Sequence, residues 1–217
     1  IIIKIINLLK IKNKIVVEIG PGLGQLTKEL IKKKPKKLII IEKDEKLYLD
    51  LCLKFNKEKN IKIINKDILK FDFNHLNKAI IVSNLPYNLS TKIILKLLKL
   101  NKNIDEMFFM IQKELSEKMN YRNGKINKYK FLTQLSSKYK VYFKVSSNVF
   151  YPKPKVQSAV VGFKLKKTLI DWKKLELFIN MVFNNNRKKI KNKITINQKY
   201  LKKYNDKRVE ELNFFEL

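Results

Sequence analysis

The chain has 217 residues and a formal net charge of +30, from 49 Lys and Arg against 19 Asp and Glu. This excess indicates a polyanionic partner, most simply nucleic acid, although a codon bias toward Ile, Lys and Asn would also raise the lysine count. With one cysteine, Cys52, and one histidine, His75, the composition excludes a disulfide framework and a Cys/His zinc cluster, and it argues against a hydrolytic triad.

The first segment, 1–10, is apolar at most positions and predicts a helix. Its lysines and Asn7 make it too short and too polar to span a membrane, and it lacks a signal-peptide cleavage pattern. We therefore expect a soluble cytoplasmic protein without a membrane partner, or an organellar one if a targeting sequence has been removed. Because the sequence begins without Met, we also expect some N-terminal sequence to be missing.

A strand, a glycine turn and a helix follow. The β-branched run Ile15–Ile19 predicts a strand, Gly20-Pro21-Gly22-Leu23-Gly24 forms the turn, and the next ten residues have a helical pattern. This order is typical of the start of a nucleotide-binding βαβ unit, because glycine lets the backbone approach a ligand closely. By itself the turn is a weak signal, since many strand–helix turns contain glycine for geometry alone.

Two acidic residues come just after the next two predicted strands. Strand 38–41 ends in Glu42, about 20 residues beyond the glycine turn, where such folds bind ribose hydroxyls. After a helix at 44–59, strand 61–64 is followed by Asp67. A solvated surface carboxylate is the alternative for Glu42, and an Asx turn is the alternative for Asp67.

The fourth strand, 79–82, leads into Asn84-Leu85-Pro86-Tyr87, and Ser90 is expected to cap a helix that starts near residue 92. An amide, a rigid proline and an aromatic ring thus lie together where a strand ends. Ligands of open α/β sheets bind at the carboxyl ends of strands. We therefore take this tetrapeptide as the candidate chemical centre.

The remaining pattern predicts a fifth strand at 107–111, a basic loop at 121–130, a helix at 131–139 and a strand at 140–146. In that strand we expect Val141, Phe143 and Val145 on one face. A proline-stiffened loop at 148–155 and a last strand at 156–165 would complete an antiparallel pair at the sheet edge. From about residue 169 only helical patterns follow, with many lysines and arginines between 187 and 208.

Several segments together resemble the small-subunit ribosomal RNA adenine N6,N6-dimethyltransferases: VEIGPGLGQLT, IEKDEKL, KDIL, NLPYNLST, FMIQKE and FYPKPKVQSAVV. The likeness covers about 1–166 and continues more weakly through NNNRKKIKNKI. Pro21 and Leu85 favour this branch over the related large-subunit enzymes that confer macrolide resistance. One departure is that a Gln-Asn-Phe-Leu segment of the family, which contributes to the cofactor pocket, does not occur before the first helix.

The resemblance implies an α/β fold: a Rossmann-like methyltransferase sheet at 1–167 with a small all-helical C-terminal domain at 168–217. It also implies S-adenosyl-L-methionine as cofactor, with Glu42 on the ribose diol and Asp67 on the adenine amine. The full set of implied cofactor-binding residues is Gly20, Gly22, Glu42, Lys43, Asp67, Ile68 and Asn84.

For the reaction, the resemblance assigns Asn84, Leu85, Pro86, Tyr87 and Phe150. We expect the Asn84 side-chain oxygen and the Leu85 carbonyl to accept hydrogen bonds from the target adenine amine, while Pro86 fixes the turn. Tyr87 and Phe150 would stack on the base, although ordinary packing is the alternative for both rings. No strong base is needed, because the nitrogen can lose its proton after it gains the methyl group.

The expected partner is small-subunit rRNA within the small ribosomal subunit, bound by a monomer through Arg187, Lys188, Lys189 and Lys191. A solvated basic surface is the alternative for these cations. Two other functions stay open: a ribosome-assembly or organellar transcription factor on the same fold, and a large-subunit rRNA methyltransferase. The RNA site and the number of methyl groups stay open as well.

Overall fold

The computed structural model describes residues 1–122, 124–149, 156–184, 188–192, 204 and 206–217. Its centre is a sheet of seven strands in the order β3-β2-β1-β4-β5-β7-β6. Neighbouring strands from β3 to β5 are parallel, and β7 is antiparallel to both β5 and β6, as expected for the sheet edge. The strands are β1 (Ile15–Ile19), β2 (Lys37–Glu42), β3 (Ile61–Asn65), β4 (Ala79–Asn84), β5 (Ile104–Gln112), β6 (Ser137–Val145) and β7 (Ser158–Leu165).

Helices cover both faces of this sheet. They are α1 (Ile2–Leu8), α2 (Gln25–Lys32), α3 (Glu45–Lys54), α4 (Ser90–Leu98), α5 (Lys113–Met119), α6 (Lys128–Ser136) and α7 (Trp172–Phe183). Within the described ranges, none of these helices has the length and apolar character needed to cross a bilayer. The layered α/β architecture expected from the sequence is confirmed.

The strands β1, β2 and β4 read as nearly unbroken apolar runs because they are buried on both faces. In β2, Leu38 and Ile40 pack with residues of α1, α2 and α3, while Ile39 and Ile41 pack on the opposite face with residues of α4. All four side chains are at most 1% exposed. This two-sided burial fixes where each strand ends, and therefore where the polar residues after the strands lie.

The alternation predicted for β6 is wrong. A β-bulge shifts the register between Val141 and Phe143, so that Val141 pairs with Val161 and Phe143 pairs with Val160. Val141 therefore packs on the core that contains Val161, whereas Phe143 and Val145 join a cluster on the other face. An extra residue in one strand reverses the inside–outside alternation beyond it, and sequence periodicity does not reveal where it occurs.

The helix predicted at 131–139 is also misplaced. It begins at Lys128, because the Asn127 side chain accepts the N–H groups of Tyr129 and Lys130, and it ends at Ser136, where β6 takes over. The first turn of α6 therefore occupies part of the predicted basic loop. Phe131 of this helix packs with α7 and the segments after it, so residues before 168 contribute to the C-terminal cluster. The domain boundary itself stays a prediction.

Candidate active site

The turn after β1 has three glycines in the left-handed region, with φ of 59° at Gly20, 56° at Gly22 and 76° at Gly24. A Cβ added to Gly20 or Gly22 would meet no atom within 4 Å, so these glycines serve the backbone conformation and leave open space beside it. A Cβ on Gly24 would lie 2.9 Å from Phe55, so packing also excludes a side chain there. The turn is fixed to β2 by a 2.9 Å hydrogen bond from the Gly20 N–H to the Ile41 carbonyl.

A cavity of about 670 Å³ lies at the carboxyl ends of β1 and β4. The Ser83 hydroxyl donates to the Ile19 carbonyl over 2.6 Å and ties these two strand ends together. The glycine turn and Asn84, the last residue of β4 and the first of the tetrapeptide, thus meet at one cavity. The other predicted site residues Leu85, Pro86, Tyr87, Glu42 and Asp67 are not among the residues that line it. Its wall includes the turn residues Gly20, Pro21 and Gly22 and the polar side chains of Glu18, Gln25, Ser83 and Asn84.

Glu42 ends β2, and its side chain is held in one orientation. The residue is only 7% exposed, and its Oε1 accepts the N–H groups of Lys43 and Asp44 over 2.7 and 2.9 Å. Among the described residues, Oε2 has no hydrogen-bond partner. A carboxylate fixed through one oxygen keeps the other for a ligand hydroxyl, so the geometry suits the predicted ribose contact.

Asp67 follows β3 and caps a short 3₁₀ turn, Ile68–Lys70, which confirms the Asx-type geometry. Its Oδ1 accepts the Leu69 N–H over 2.9 Å, and its Oδ2 lies 3.3 Å from Lys43 Nζ. The Leu69 bond first, and then the Lys43 ammonium, hold the pKa of Asp67 below its usual value against an opposing effect of burial. Ile68 is 7% exposed and packs in the core, so little of its side chain is available to a ligand.

The main chain fixes both ends of the tetrapeptide. The Leu85 N–H donates to the Met110 carbonyl on β5 over 3.1 Å. The Pro86 carbonyl accepts the N–H and the hydroxyl of Ser90 over 3.0 and 2.9 Å, and α4 starts at Ser90 rather than near residue 92. Within the described chain, the Asn84 side chain and the Leu85 carbonyl have no hydrogen-bond partner. Asn84 is exposed at the cavity, so its side chain remains for a ligand, whereas Leu85 as a residue is only 1% exposed.

Tyr87 makes a hydrogen bond with a residue that is distant in the sequence. Its hydroxyl lies 2.7 Å from the Oγ of Ser158, a fully buried residue at the start of β7. This contact restrains the ring beside Asn84. Stacking of Tyr87 on a base stays a prediction, and Phe150, the predicted second wall, lies outside the described residues.

Two of the predicted RNA-binding cations are exposed but lie beside the same acidic side chain. Asp206 Oδ1 lies 3.2 Å from Lys189 Nζ and 2.8 Å from Lys191 Nζ. Lys191 first, and then Lys189, hold the pKa of Asp206 below its usual value. Lys188 is exposed, and Arg187 lies outside the described residues. Two of the four predicted cations therefore already have an acidic partner.

Sequence reasoning misses Glu18, which also borders the cavity. It is 1% exposed at the fourth of the five positions of β1, and its Oε2 accepts a 2.7 Å hydrogen bond from Thr27 of α2. The available signal is a single charged residue inside an apolar strand that is buried on both faces. No group of three His, Cys, Asp or Glu that could bind a metal ion occurs in the ranges that the structure describes.

Comparison with known proteins agrees with this geometry. The sequence matches the family described as Ribosomal RNA adenine dimethylase over residues 1–215. It is 40% identical over 199 residues to Ribosomal RNA small subunit methyltransferase A of Malacoplasma penetrans, which covers 88% of this chain and 71% of that protein. The protein of the same name from Borreliella burgdorferi is 39% identical over 224 residues, with 97% and 79% covered.

A solved structure, the dimethyladenosine transferase from Plasmodium falciparum, superposes with a TM-score of 0.83 over 99% of this chain and 92% of that one. At 23% identity this similarity supports the fold alone. The family match and the curated relatives confirm the resemblance found in the sequence motifs. The chain belongs to the ribosomal RNA adenine dimethylase family of methyltransferases.

Proposed function

We propose that this enzyme uses S-adenosylmethionine to dimethylate N6 of two adjacent adenosines in a hairpin of small-subunit rRNA. The observation that carries the proposal is that the Asn84 side chain, which has no hydrogen-bond partner among the described residues, lines the same cavity as the glycine turn. The Leu85 carbonyl, likewise without a partner there, follows directly in the chain. The glycine turn suits a cofactor, and the acceptors suit an amine. Their common cavity is what a direct transfer requires.

The residues present fit S-adenosylmethionine. The open space beside Gly20 and Gly22 admits a ligand against the backbone, and Glu42 offers a fixed carboxylate oxygen to the ribose. The contacts of Asp67 favour its carboxylate form, since they hold its pKa below the usual value, and a carboxylate can accept a hydrogen bond from the adenine amine. When bound, the cofactor supplies an electrophilic methyl group on a positively charged sulfur.

The tetrapeptide would orient and activate the target amine. The adenine N6 lone pair is delocalised into the ring, so the free amine is a poor nucleophile. In the first transfer, hydrogen bonds from both N6 hydrogens to the Asn84 oxygen and the Leu85 carbonyl would favour a tetrahedral nitrogen whose lone pair is directed away from the ring. The nitrogen loses one proton after each transfer, so in the second transfer one N6 hydrogen and one such bond remain. Tyr87, restrained through Ser158, supplies a flat surface for the base, and such stacking is worth about 1–3 kcal/mol.

The substrate would be the small ribosomal subunit or its rRNA, bound by a monomer in the cytoplasm. The names of the two bacterial relatives and the net charge of +30 support this substrate. A base inside a hairpin must leave its stack to reach the cavity. Phosphate contacts from the segment 187–191 would orient the hairpin during that step, and binding would also contribute to subunit biogenesis.

The direct test is incubation of the purified protein with methyl-labelled S-adenosylmethionine and small subunits that lack this modification. The label should enter two adjacent adenosines of one hairpin, as mapped by primer extension and mass spectrometry of RNA fragments. Large subunits serve as the matched control and should remain unlabelled.

Each other outcome has a defined meaning. Label in large subunits alone would support the large-subunit enzyme instead. Tight binding to small subunits without any label, under conditions where the cofactor binds, would support an assembly factor that has lost catalysis.

A further inference from the structure

Glu18 presents an unusual arrangement of charge and burial. Strand β1 is otherwise apolar, and Glu18, its penultimate residue, is 1% exposed. Oε2 accepts the Thr27 hydroxyl, whereas Oε1 is buried without a hydrogen-bond partner in the described structure. A buried carboxylate with an unsatisfied oxygen is costly, so a stable fold that retains one calls for an explanation.

The surroundings favour the neutral form of this carboxyl. Burial raises the pKa of Glu18 to about 7, and the Thr27 hydrogen bond opposes the rise only in part. No neighbouring charge contributes to the shift. The charged side chains on the adjoining β2, α1 and α2 are Lys37, Glu42, Lys4, Lys28, Glu29 and Lys32, and β4 has none.

The position of Glu18 relates it to the cavity. It borders the same space as Gly20, Gly22 and Asn84, and it is the only ionisable side chain among the described residues that line it. A cation that enters this cavity therefore meets one carboxyl that can become its counter-ion. Among the described residues of the wall, no second charged side chain competes for that role.

We propose that Glu18 is the counter-ion for the positive charge of the methyl donor, and that it makes the site prefer the donor over the demethylated product. This proposal rests on the use of S-adenosylmethionine proposed above. The donor has a sulfonium, an ammonium and a carboxylate, hence a net positive charge. The product, S-adenosylhomocysteine, has lost the sulfonium charge. A carboxylate in a buried setting interacts much more strongly with the first than with the second.

The proposal predicts proton exchange with solvent. When the donor binds, neutral Glu18 loses its proton to the buffer, because the nearby positive charge stabilises the carboxylate. After transfer the sulfonium charge is gone, so the carboxylate takes a proton back and the product is held less tightly. Glu18 thus acts on cofactor specificity and product release rather than on the amine.

Calorimetric titration in two buffers of different ionisation enthalpy measures this exchange. At pH 7 the wild type should release about half a proton per donor bound, and clearly less per S-adenosylhomocysteine. Between about pH 6 and pH 8, its preference for donor over product should rise about tenfold. Glu18→Gln keeps an acceptor for Thr27 but cannot ionise, so its proton release should vanish and its preference should stay flat.

Two further variants keep the test decisive. Thr27→Val retains the carboxyl and removes a hydrogen bond that lowers its pKa, so the pH of maximal proton release should move upward. Glu29→Gln, on the same helix but partly exposed, is the matched control and should behave as the wild type. Circular dichroism checks folding, and the Thr27→Val result stands if Glu18→Gln does not fold.

Equal proton release by the wild type and Glu18→Gln would overturn the proposal, and so would an unchanged pH profile in Thr27→Val. A wild type that binds neither donor nor product would instead contradict the proposed function. A wild type that binds both ligands with the same proton release would leave the function intact and reject the role of Glu18.

Discussion

Two regions of the molecule hold their polar side chains by different means. One is the edge of the sheet at the carboxyl ends of β1 to β4, called the cavity edge below, and the other is the lysine- and arginine-rich segment 187–208, called the basic segment. At the cavity edge, side chains are fixed by backbone N–H groups, as Glu42 is by Lys43 and Asp44. In the basic segment, Lys189 and Lys191 share one exposed carboxylate, Asp206. The first arrangement costs little reorganisation when a ligand binds, whereas the second can exchange its partner for another anion.

This difference shows which of the two regions must hold its atoms in fixed positions. Methyl transfer requires atoms held within a fraction of an ångström, and short backbone hydrogen bonds supply that restraint. Attachment to a phosphate backbone requires charge and tolerance of geometry, and long lysine side chains supply both. The two regions should therefore respond differently to mutation and to salt.

The largest effect is expected for Asn84→Ala. It removes one of the two acceptors for the target amine, and loss of one such group in an enzyme site typically costs about 100- to 1,000-fold in turnover. Cofactor affinity, measured by calorimetry, should change much less. Asn88→Ala, an exposed amide in the same turn, is the matched control and should retain activity. Wild-type turnover in Asn84→Ala would contradict the proposed role of Asn84 as an acceptor for the target amine.

The next effect is expected for Glu42→Gln, which sharpens the contrast at the cofactor side. A hydrogen bond to a charged group contributes about 1.5–3 kcal/mol, so the dissociation constant of S-adenosylmethionine should rise about 10- to 100-fold. Because the change is electrostatic but buried, added salt should not abolish it. Glu45→Gln, an exposed acid in the first turn of α3, is the control. Equal cofactor affinity in both variants would contradict the ribose contact.

A smaller effect is expected for Tyr87→Phe, which tests whether the hydrogen bond between Tyr87 and Ser158 holds the ring as firmly as backbone N–H groups hold Glu42. The variant leaves the buried Ser158 hydroxyl without its partner, so the free energy of unfolding should fall by about 1 kcal/mol. Ser158→Ala should give a similar loss, and the double variant should lose little more, because one contact is removed in each case. Additive losses in denaturant unfolding would show that the contact is unimportant.

The sequence predicts that the glycine turn and Asn84 meet at the carboxyl ends of the strands, because the features behind this prediction are local. Apolar runs give the strands, Gly20 and Gly22 mark the turn, and Glu42 and Asp67 follow directly after strands. Parallel strands bring their carboxyl ends to one edge, so these residues must lie near each other once the strands are assigned. The same reasoning places Asn84 beside the glycine turn.

The features that the sequence does not predict depend on contacts distant in the chain. Tyr87 and Ser158 are 71 positions apart, and no local pattern pairs them. The bulge in β6 follows from its register with β7, and the unsatisfied oxygen of Glu18 follows from packing around it. In the basic segment, the number of lysines does not reveal that Lys189 and Lys191 form ion pairs with Asp206, because a sequence does not show which charges are in contact.

The smallest effects on function are expected for variants of the basic segment. The salt dependence of their RNA affinity should distinguish Lys188 from the two lysines that lie beside Asp206. A lysine that contacts one phosphate adds about 0.7–0.9 to the slope of log affinity against log salt. Lys188→Gln should lower the slope by about that amount. Lys189→Gln and Lys191→Gln should lower it less, because each of these lysines must first leave Asp206. Fluorescence anisotropy with an rRNA hairpin measures the slope between about 50 and 200 mM salt.

Asp206→Asn should act in the opposite direction and strengthen RNA binding slightly, since it releases both lysines without adding a charge to the RNA-binding groups themselves. Lys62→Gln, which removes an exposed lysine from the far edge strand β3, is the control for net charge. If Lys62→Gln lowers the slope as much as Lys188→Gln, binding depends on overall charge rather than on this segment. If Asp206→Asn leaves RNA affinity unchanged, the ion pairs do not restrain the lysines, and the proposed contrast with the rigid cavity edge fails at this point.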